Sequence, residues 1–188
     1  MPETKLIFVN SITLWRIVSA PVIVILAILG KEEFFRWLLL LSFLTDAVDG
    51  TLARHYHVAG KRGAVLDSIG DDLTVLAGFI GLSIFQFQFV IDELFSLALT
   101  GTLWLAEIAI AIRKYGRMTA FHTILAKIAA VLQAIFLLTS FFWQKPAHLF
   151  FHLAVVITCV QLVEDILLVI ILPTWKSNVK GLYWHLRP

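Results

Sequence analysis

Apolar residues recur along the chain in runs of about twenty, and each run ends in a short stretch that contains charged residues. A helix of that length crosses the hydrocarbon core of a bilayer, which is about 30 Å thick. The short alternating segments typical of membrane β-strands are absent. The pattern therefore predicts six membrane-spanning helices, over residues 12–29, 34–53, 64–85, 94–112, 121–143 and 149–172.

The segments outside these spans complete the predicted architecture. Residues 1–10 lack a secretory signal pattern and are predicted to form a short helix in the membrane interface. Residues 173–188 form a polar tail whose aromatic side chains suit the interfacial belt. Because no repeat or soluble segment interrupts the pattern, we predict an all-α membrane protein with a single domain over residues 1–188.

The composition supports the membrane assignment. Hydrophobic residues make up 60% of the 188 residues and charged residues 15%, whereas soluble domains contain about 45–50% apolar and about 25% charged residues. Cys159 is the single cysteine, which excludes an intrachain disulfide and a cysteine-based metal site. No set of histidines and cysteines has zinc-ligand spacing. We expect no nucleic-acid partner.

The orientation of the spans follows from the charged loops. Basic residues concentrate in the second loop, the fourth loop and the C-terminal tail: Arg54, Lys61, Arg62, Arg113, Lys114, Arg117, Lys176, Lys180 and Arg187. Loops rich in lysine and arginine stay in the cytoplasm. The sequence therefore predicts that both termini are cytoplasmic. An even number of spans agrees with this, since it places both termini on the same side. The expected location is a bacterial inner membrane.

Two neighbouring spans carry an unusual number of acidic residues. Asp46 and Asp49 lie in the second span, and Asp67, Asp71 and Asp72 lie in the third. A charged side chain at the centre of a membrane helix costs about 2.5–3.5 kcal/mol on insertion scales. One or two polar residues would be enough for helix packing. A polar seam between helices is thus a weaker explanation than a functional site.

The spacing of these residues places them on two facing surfaces. The second span presents Asp46, Asp49, Gly50 and Ala53 on one face, and the third presents Gly63, Asp67 and Asp71. Both faces lie within about 10 Å of the cytoplasmic helix ends, at about 1.5 Å per residue. The small residues leave room for a substrate to approach the backbone, although close helix packing would also explain them.

Carboxylates gathered in this way need a counter-charge. Hard divalent cations such as Mg²⁺ or Mn²⁺ prefer oxygen ligands. Two such ions can stabilise the attacking and leaving oxygens of a phosphoryl transfer. We therefore predict a site for Mg²⁺ or Mn²⁺, with two ions, formed by the metal ligands Asp46, Asp49, Asp67 and Asp71 and open to the cytoplasm.

At these residues the sequence resembles the CDP-alcohol phosphotransferase family. The family pattern D-x2-D-G-x2-A-R-x8-G-x3-D-x3-D is matched at all eight fixed positions, between residues 46 and 71. Asn10, Ile12, Thr13 and Arg16 also resemble the N-x-[LI]-T-x2-R opening common in these enzymes. The resemblance is nearest to phosphatidylglycerophosphate synthase and cardiolipin synthase-type members. It implies six spans, a homodimer and a cytoplasmic site.

The resemblance also implies a reaction and a role for each motif residue. The phosphatidyl group of CDP-diacylglycerol would move to the hydroxyl of an alcohol, with release of CMP. Asp71 would act as the catalytic base and as a ligand at the edge of the metal shell. The implied nucleotide-binding residues are Asp46, Asp49, Gly50, Ala53, Arg54, Gly63 and Asp67. Arg16 could support either this site or the membrane interface.

The identity of the acceptor alcohol rests on weaker signals. Candidate acceptor-binding residues are Arg113, Arg117 and Lys127. Phosphatidylglycerophosphate synthases usually carry G-K-x-K-T-x2-Q in span five, where this chain retains only Lys127 and Gln133. Glycerol 3-phosphate is the first prediction, with phosphatidylglycerol or another polyol as the alternative. Glu107, Glu164 and Asp165 belong to a divergent pocket or pair with Lys127.

Two other classes of function compete with the transferase. A metal-ion or proton transporter would use the aspartates as a relay, but it would distribute them through the depth of the membrane, ideally on inverted repeats. A non-catalytic relative would show an eroded motif. The clustered acids, the absent repeat and the intact motif favour the enzyme.

Overall fold

The computed structural model describes residues 2–56, 61–177 and 179–186, with side chains over 14–46, 65–177 and 179–185. Within these ranges the chain is helical and has no strand, apart from one isolated bridge between Ala120 and Ser177. The helices are α1 (Pro2–Ile28), α2 (Glu32–Tyr56), α3 (Lys61–Phe85), α4 (Phe87–Asp92), α5 (Leu94–Tyr115), α6 (Ile124–Phe142), α7 (His148–Ile171) and α8 (Leu182–Leu186).

The six predicted spans each coincide with one long helix, and the all-helical class is confirmed. Over the described residues, four segments are long and apolar enough to cross a membrane: Val65–Phe85, Leu94–Tyr115, Ile124–Phe142 and His148–Ile171. Leu14–Ile28 is a shorter apolar helix. The structure thus supports an integral membrane protein, while the count of six spans remains a prediction.

The N-terminal region differs in form from the expected short interfacial helix. The helical backbone runs without interruption from Pro2 to Ile28, so residues 1–10 are not separated from the first predicted span by a break. From Leu14 onward α1 has an exposed face and a buried face. Leu14, Val18 and Ile25 are exposed, whereas Arg16 and Ile23 are buried. An exposed apolar face of this kind is suited to lipid.

The predicted fifth span starts three residues before its helix. Residues 120–123 are not helical, with Ala120 in the bridge to Ser177 and His122 at a φ of 49°. Thr123 caps the start of α6, because its side-chain oxygen accepts a hydrogen bond from the backbone N–H of Ala126 at 3.1 Å. Apolar periodicity continues through this segment, so the sequence pattern alone extends the helix too far.

The chain divides into two compact units. The first contains Met1–Phe87 and Leu137–Lys145, and the second contains Gln88–Phe136 and Pro146–Pro188. Helix α6 therefore contributes its first turns to the second unit and its last turns to the first.

The first unit is closed by aromatic packing between helices. The ring of Phe35 on α2 meets Phe85 and Phe141 edge-on, at centroid distances of 5.4 and 4.7 Å. Gly81 on α3 permits this arrangement, since a Cβ there would lie 2.1 Å from the Phe35 ring. Helix α1 packs on both α2 and α3. This packing fixes the three helices that carry the predicted site.

The second unit is built around the packing of α5 on α7. Near the start of α7, Phe151 packs against Phe89 and Phe136, with ring centroids 5.0 and 5.1 Å away. At the other end, Lys114 Nζ donates hydrogen bonds to the carbonyl oxygens of Val169 and Ile170, each at 2.9 Å. A lysine in this position satisfies carbonyl groups that the end of a helix leaves without intrahelical partners.

Candidate active site

Arg16 is a fully buried cation in the first unit. Its side chain, on α1, has 0% exposure although it lies in an otherwise apolar stretch. Burial of an isolated charge costs far more free energy than helix packing returns, so a buried guanidinium requires opposite charges nearby.

Three aspartates from two other helices supply those charges. Asp46 Oδ1, on α2, accepts a hydrogen bond from Arg16 Nη1 at 2.5 Å. Asp71 Oδ1, on α3, also accepts from Nη1, and Asp67 Oδ1 accepts from Nη2. One guanidinium therefore joins the acidic faces of α2 and α3, which the spacing of the aspartates had predicted to meet.

The carboxylates lie at the edge of the buried region. Their side chains are 36%, 28% and 34% exposed for Asp46, Asp67 and Asp71. Arg16 thus lies beneath the acids and binds them from the interior, while the acids retain access from outside. Such an arrangement leaves carboxylate oxygens available to a ligand or an ion.

Local sequence places these side chains correctly. Asp67 and Asp71 are four residues apart, so they occupy one face of α3. Gly70 lies between them and against the arginine, since a Cβ there would be 3.7 Å from Arg16 Cβ and Cζ. A longer side chain at Gly70 would occupy the space of the guanidinium stem. Gly70 therefore lies in the packing of α1 against α3, beside the acids.

The donor set fits a hard divalent cation. When ionised, the three carboxylates and the single guanidinium leave a net charge of about −2, which one divalent ion would balance. The candidate oxygens of Asp67 and Asp71 lie within 4.8 Å of one another. All three side chains offer oxygen ligands, which Mg²⁺ and Mn²⁺ prefer.

Several predicted site residues lie outside the described side chains. These are Asp49, Gly50, Ala53, Arg54 and Gly63. Their metal-binding and nucleotide-binding roles stay predictions. Asp72, which falls outside the family pattern, is half-buried on α3.

The candidate acceptor residues belong to the second unit. Arg113 and Arg117 are exposed, and the Arg117 guanidinium lies over the ring of Trp175, 5.5 Å from its centroid. Lys127 is exposed and sits in the first turn of α6, because that helix begins only at Ile124. A lysine near a helix end can extend its amine toward water, so its position alone does not require a functional role.

Three acids of the second unit, Glu107, Glu164 and Asp165, accept hydrogen bonds from uncharged donors. The Thr119 hydroxyl donates to Glu107 Oε1 at 2.5 Å, and the backbone N–H of Leu182 donates to Glu164 Oε1 at 2.9 Å. Gln161 donates to Asp165 Oδ2. The sequence left open whether these acids form a pocket or pair with Lys127. The observed contacts connect neighbouring segments of the same unit.

Arg16 is the residue whose importance the sequence reading understated. The opening motif contains Arg16, but the motif alone does not decide between a role in the site and a role in the membrane interface. A detectable signal was present, because a cation inside an apolar span normally has an acidic partner. The aspartates of the next two spans were the available partners.

The fold and site together define an all-helical membrane protein with helix-borne carboxylates gathered around a buried arginine. The family model for CDP-alcohol phosphatidyltransferase matches residues 6–174, so the chain belongs to that family. The family transfers a phosphatidyl group from a CDP-alcohol to an alcohol acceptor and takes part in phospholipid synthesis. No curated protein and no solved structure matches the chain significantly. The resemblance inferred from the motif is thereby confirmed at the level of the family.

Proposed function

We propose that this chain transfers the phosphatidyl group of CDP-diacylglycerol to the hydroxyl of an alcohol and releases CMP. The observation that carries the proposal is the convergence of Asp46, Asp67 and Asp71 on Arg16. These are three of the four aspartates of the family motif, and they come from two separate helices. The fourth, Asp49, lies one turn after Asp46 on α2.

Asp46, Asp49, Asp67 and Asp71 would hold the divalent ions, for which Mg²⁺ or Mn²⁺ is the proposed identity. The net negative charge around Arg16 and the all-oxygen donor set support this choice. When bound, the metal would neutralise the pyrophosphate of the substrate and the charge that develops on CMP.

Asp71 is the proposed general base. Its partial exposure would allow it to accept the proton of the acceptor hydroxyl. The alcohol oxygen then forms a bond to the β-phosphorus of CDP-diacylglycerol, the bond from that phosphorus to the bridging oxygen breaks, and CMP leaves with the bonding electrons. Proton transfer of this kind is worth about 10²–10⁴ in rate.

Arg16 is proposed as a positioning residue. It donates to all three carboxylates from the buried side, which restricts their rotamers. Catalytic groups must be held close to their productive geometry. Nucleotide contacts are assigned by the family motif to Gly50, Ala53, Arg54 and Gly63 along with the aspartates.

Glycerol 3-phosphate is the proposed acceptor, with phosphatidylglycerol or another polyol as the alternative. Arg113, Arg117 and Lys127 are the cations proposed to bind it. The span-five pattern supports a phosphorylated alcohol only in part. Gln133, one of its retained residues, donates to Thr158 at 2.7 Å and so links α6 to α7.

The proposed setting is a single membrane domain over residues 1–188 with six spans. We propose that both termini and the active site face the cytoplasm, which the distribution of basic loops supports, and that the membrane is a bacterial inner membrane. A homodimer is proposed from the family resemblance. The apolar helices support the membrane part of this setting.

The function can be tested with the purified protein in micelles. It is incubated with CDP-diacylglycerol, Mg²⁺ or Mn²⁺, and a panel containing glycerol 3-phosphate, phosphatidylglycerol and other polyols, and CMP release is measured. We expect acceptor-dependent CMP release with one member of the panel. Ion flux in liposomes without CMP release under any condition would instead establish a transporter.

A further inference from the structure

A second group of metal-ligating side chains lies in the second unit, away from the aspartate motif in sequence. Glu93 directly precedes α5, and His148 and His152 lie one turn apart at the start of α7. Each offers one ligand atom, and these three atoms all lie within 4.8 Å of one another. The family motif and the proposed transfer reaction use none of these residues.

The distances in this group are long for hydrogen bonds and are compatible with a shared metal ion. Glu93 Oε1 lies 3.4 Å from His152 Nε2 and 3.9 Å from His148 Nδ1. Both exceed the usual hydrogen-bond range of about 2.7–3.2 Å. In a tetrahedral site with bonds of about 2.0–2.1 Å, neighbouring ligand atoms are separated by about 3.3–3.4 Å. Of the three pairs, Glu93–His152 has this separation already, Glu93–His148 is about 0.5 Å longer, and the two histidine nitrogens lie within 4.8 Å of each other.

The surroundings fix the carboxylate and pack against both histidine rings. Ser96 Oγ donates a hydrogen bond to Glu93 Oε2 at 3.2 Å, which leaves Oε1 facing the histidines. The His148 ring packs edge-on against Phe89, with centroids 5.2 Å apart, and His152 packs against Phe151 at 5.3 Å. A ligating carboxylate that accepts such a hydrogen bond is a usual feature of protein metal sites.

Exposure decides how an ion could enter. The Glu93 side chain is 15% exposed, whereas His148 and His152 are 61% and 56% exposed. The carboxylate is therefore fixed at the base of the group, and the histidines can rotate to close on an ion from solvent. Two imidazoles and one carboxylate leave a fourth position for water in a tetrahedral shell.

We propose that Glu93, His148 and His152 bind one divalent transition-metal ion of the Zn²⁺ class, with water as the fourth ligand. Imidazole nitrogen selects such ions over Mg²⁺, which prefers oxygen. The site is thus chemically distinct from the all-carboxylate group around Arg16. The search for zinc spacing in the sequence missed it because Glu93 is 55 residues before His148.

The test is Zn²⁺ binding to the full-length protein in micelles, measured by isothermal titration with saturating Mg²⁺ present to occupy the aspartate site. We expect one tight equivalent of Zn²⁺. His148→Ala, His152→Ala and Glu93→Gln should each weaken it at least about tenfold, and Ser96→Ala by about tenfold, as for other outer-shell partners. The matched controls are His185→Ala, at an exposed histidine on α8, and Asp67→Asn, and neither should change Zn²⁺ affinity.

Equal Zn²⁺ affinity in the wild type and in the His148→Ala/His152→Ala double variant would overturn the proposal. A second measurement uses the unaltered protein, so it does not depend on a variant that folds. Co²⁺ added in place of Zn²⁺ should give the intense visible absorption of a four-coordinate ion, and added Zn²⁺ should remove it. A Co²⁺ spectrum no stronger than that of the ion in buffer would also reject the site.

Discussion

The two units handle intramembrane acids in opposite ways. In the first, Asp46, Asp67 and Asp71 are about one-third exposed and meet a buried cation, Arg16. In the second, Glu107 and Asp165 are almost fully buried and accept hydrogen bonds from neutral side chains. Exposed acids above a buried counter-charge can bind substrates or ions, whereas buried acids with neutral partners hold segments together. The two groups of acids therefore differ more clearly in their exposure to solvent than in their occurrence in apolar helices.

Removal of divalent metal should have the largest effect on CMP release, and this effect should come from the acids of the first unit. Extensive treatment with EDTA is expected to reduce CMP release to background, because the carboxylates around Arg16 would lose the ions that stabilise phosphoryl transfer. Readdition of Mg²⁺ or Mn²⁺ should restore it. Full turnover in demonstrably metal-free protein would contradict the assignment of Asp46, Asp67 and Asp71 as ligands.

Replacement of the buried cation should have the next largest effect. Arg16→Leu leaves three carboxylates without their partner, and loss of one member of a buried ion pair costs about 3–5 kcal/mol. We expect a lower unfolding temperature in micelles and little CMP release. Arg16→Lys should recover part of the stability, since the charge is kept but the two-pronged geometry is lost.

The matched control for this substitution is Arg36→Leu. Arg36 Nη2 lies 3.8 Å from Glu33 Oε1 at the start of α2, and Glu33 is largely exposed. Ion pairs of this kind contribute about 0–1 kcal/mol. If both leucine variants lower the unfolding temperature equally, the central place given to Arg16 is incorrect.

The packing of the two units can be compared through a pair of glycines. Gly81→Ala in the first unit should destabilise by about 1–3 kcal/mol, because the new methyl group would collide with the Phe35 ring. Gly101→Ala on α5 meets nothing within 4 Å and should stabilise its helix by about 0.5–1 kcal/mol. Thermal unfolding in micelles measures both changes, and the same sign for both would reject this difference.

The smallest effect is expected at the neutral-partner acids. Glu107→Gln keeps a carbonyl oxygen that can accept the hydrogen bond from Thr119. CMP release should change less than about threefold, and stability by about 1 kcal/mol, the scale of one hydrogen bond. A loss of turnover as large as that caused by metal removal would move Glu107 into the catalytic site.

The sequence was sufficient for the helices and for the convergence of the motif. Long apolar runs identified every long helix, and the four-residue spacing of Asp67 and Asp71 placed both on the face of α3 that meets Asp46. These features depend on helical periodicity, which is local. The match to the family model, over residues 6–174, also includes the motif.

Other features depend on contacts that periodicity does not encode. The sequence did not show that Arg16 on α1 would reach both acidic helices, since that requires the packing of α1 on both α2 and α3. It began the fifth span at residue 121, three residues before α6, whose first turn Thr123 caps. It also missed the approach of Glu93 to His148 and His152, which depends on the packing of α5 against α7.

The most direct measurement of the central claim compares CMP release by Asp71→Asn and Asp165→Asn under identical conditions. Both changes replace a carboxyl group by an amide of nearly the same shape. The account predicts that the variant at Asp71 loses at least about 10²-fold in turnover with its fold intact, while the variant at Asp165 remains active. Wild-type turnover by the Asp71 variant would contradict the account.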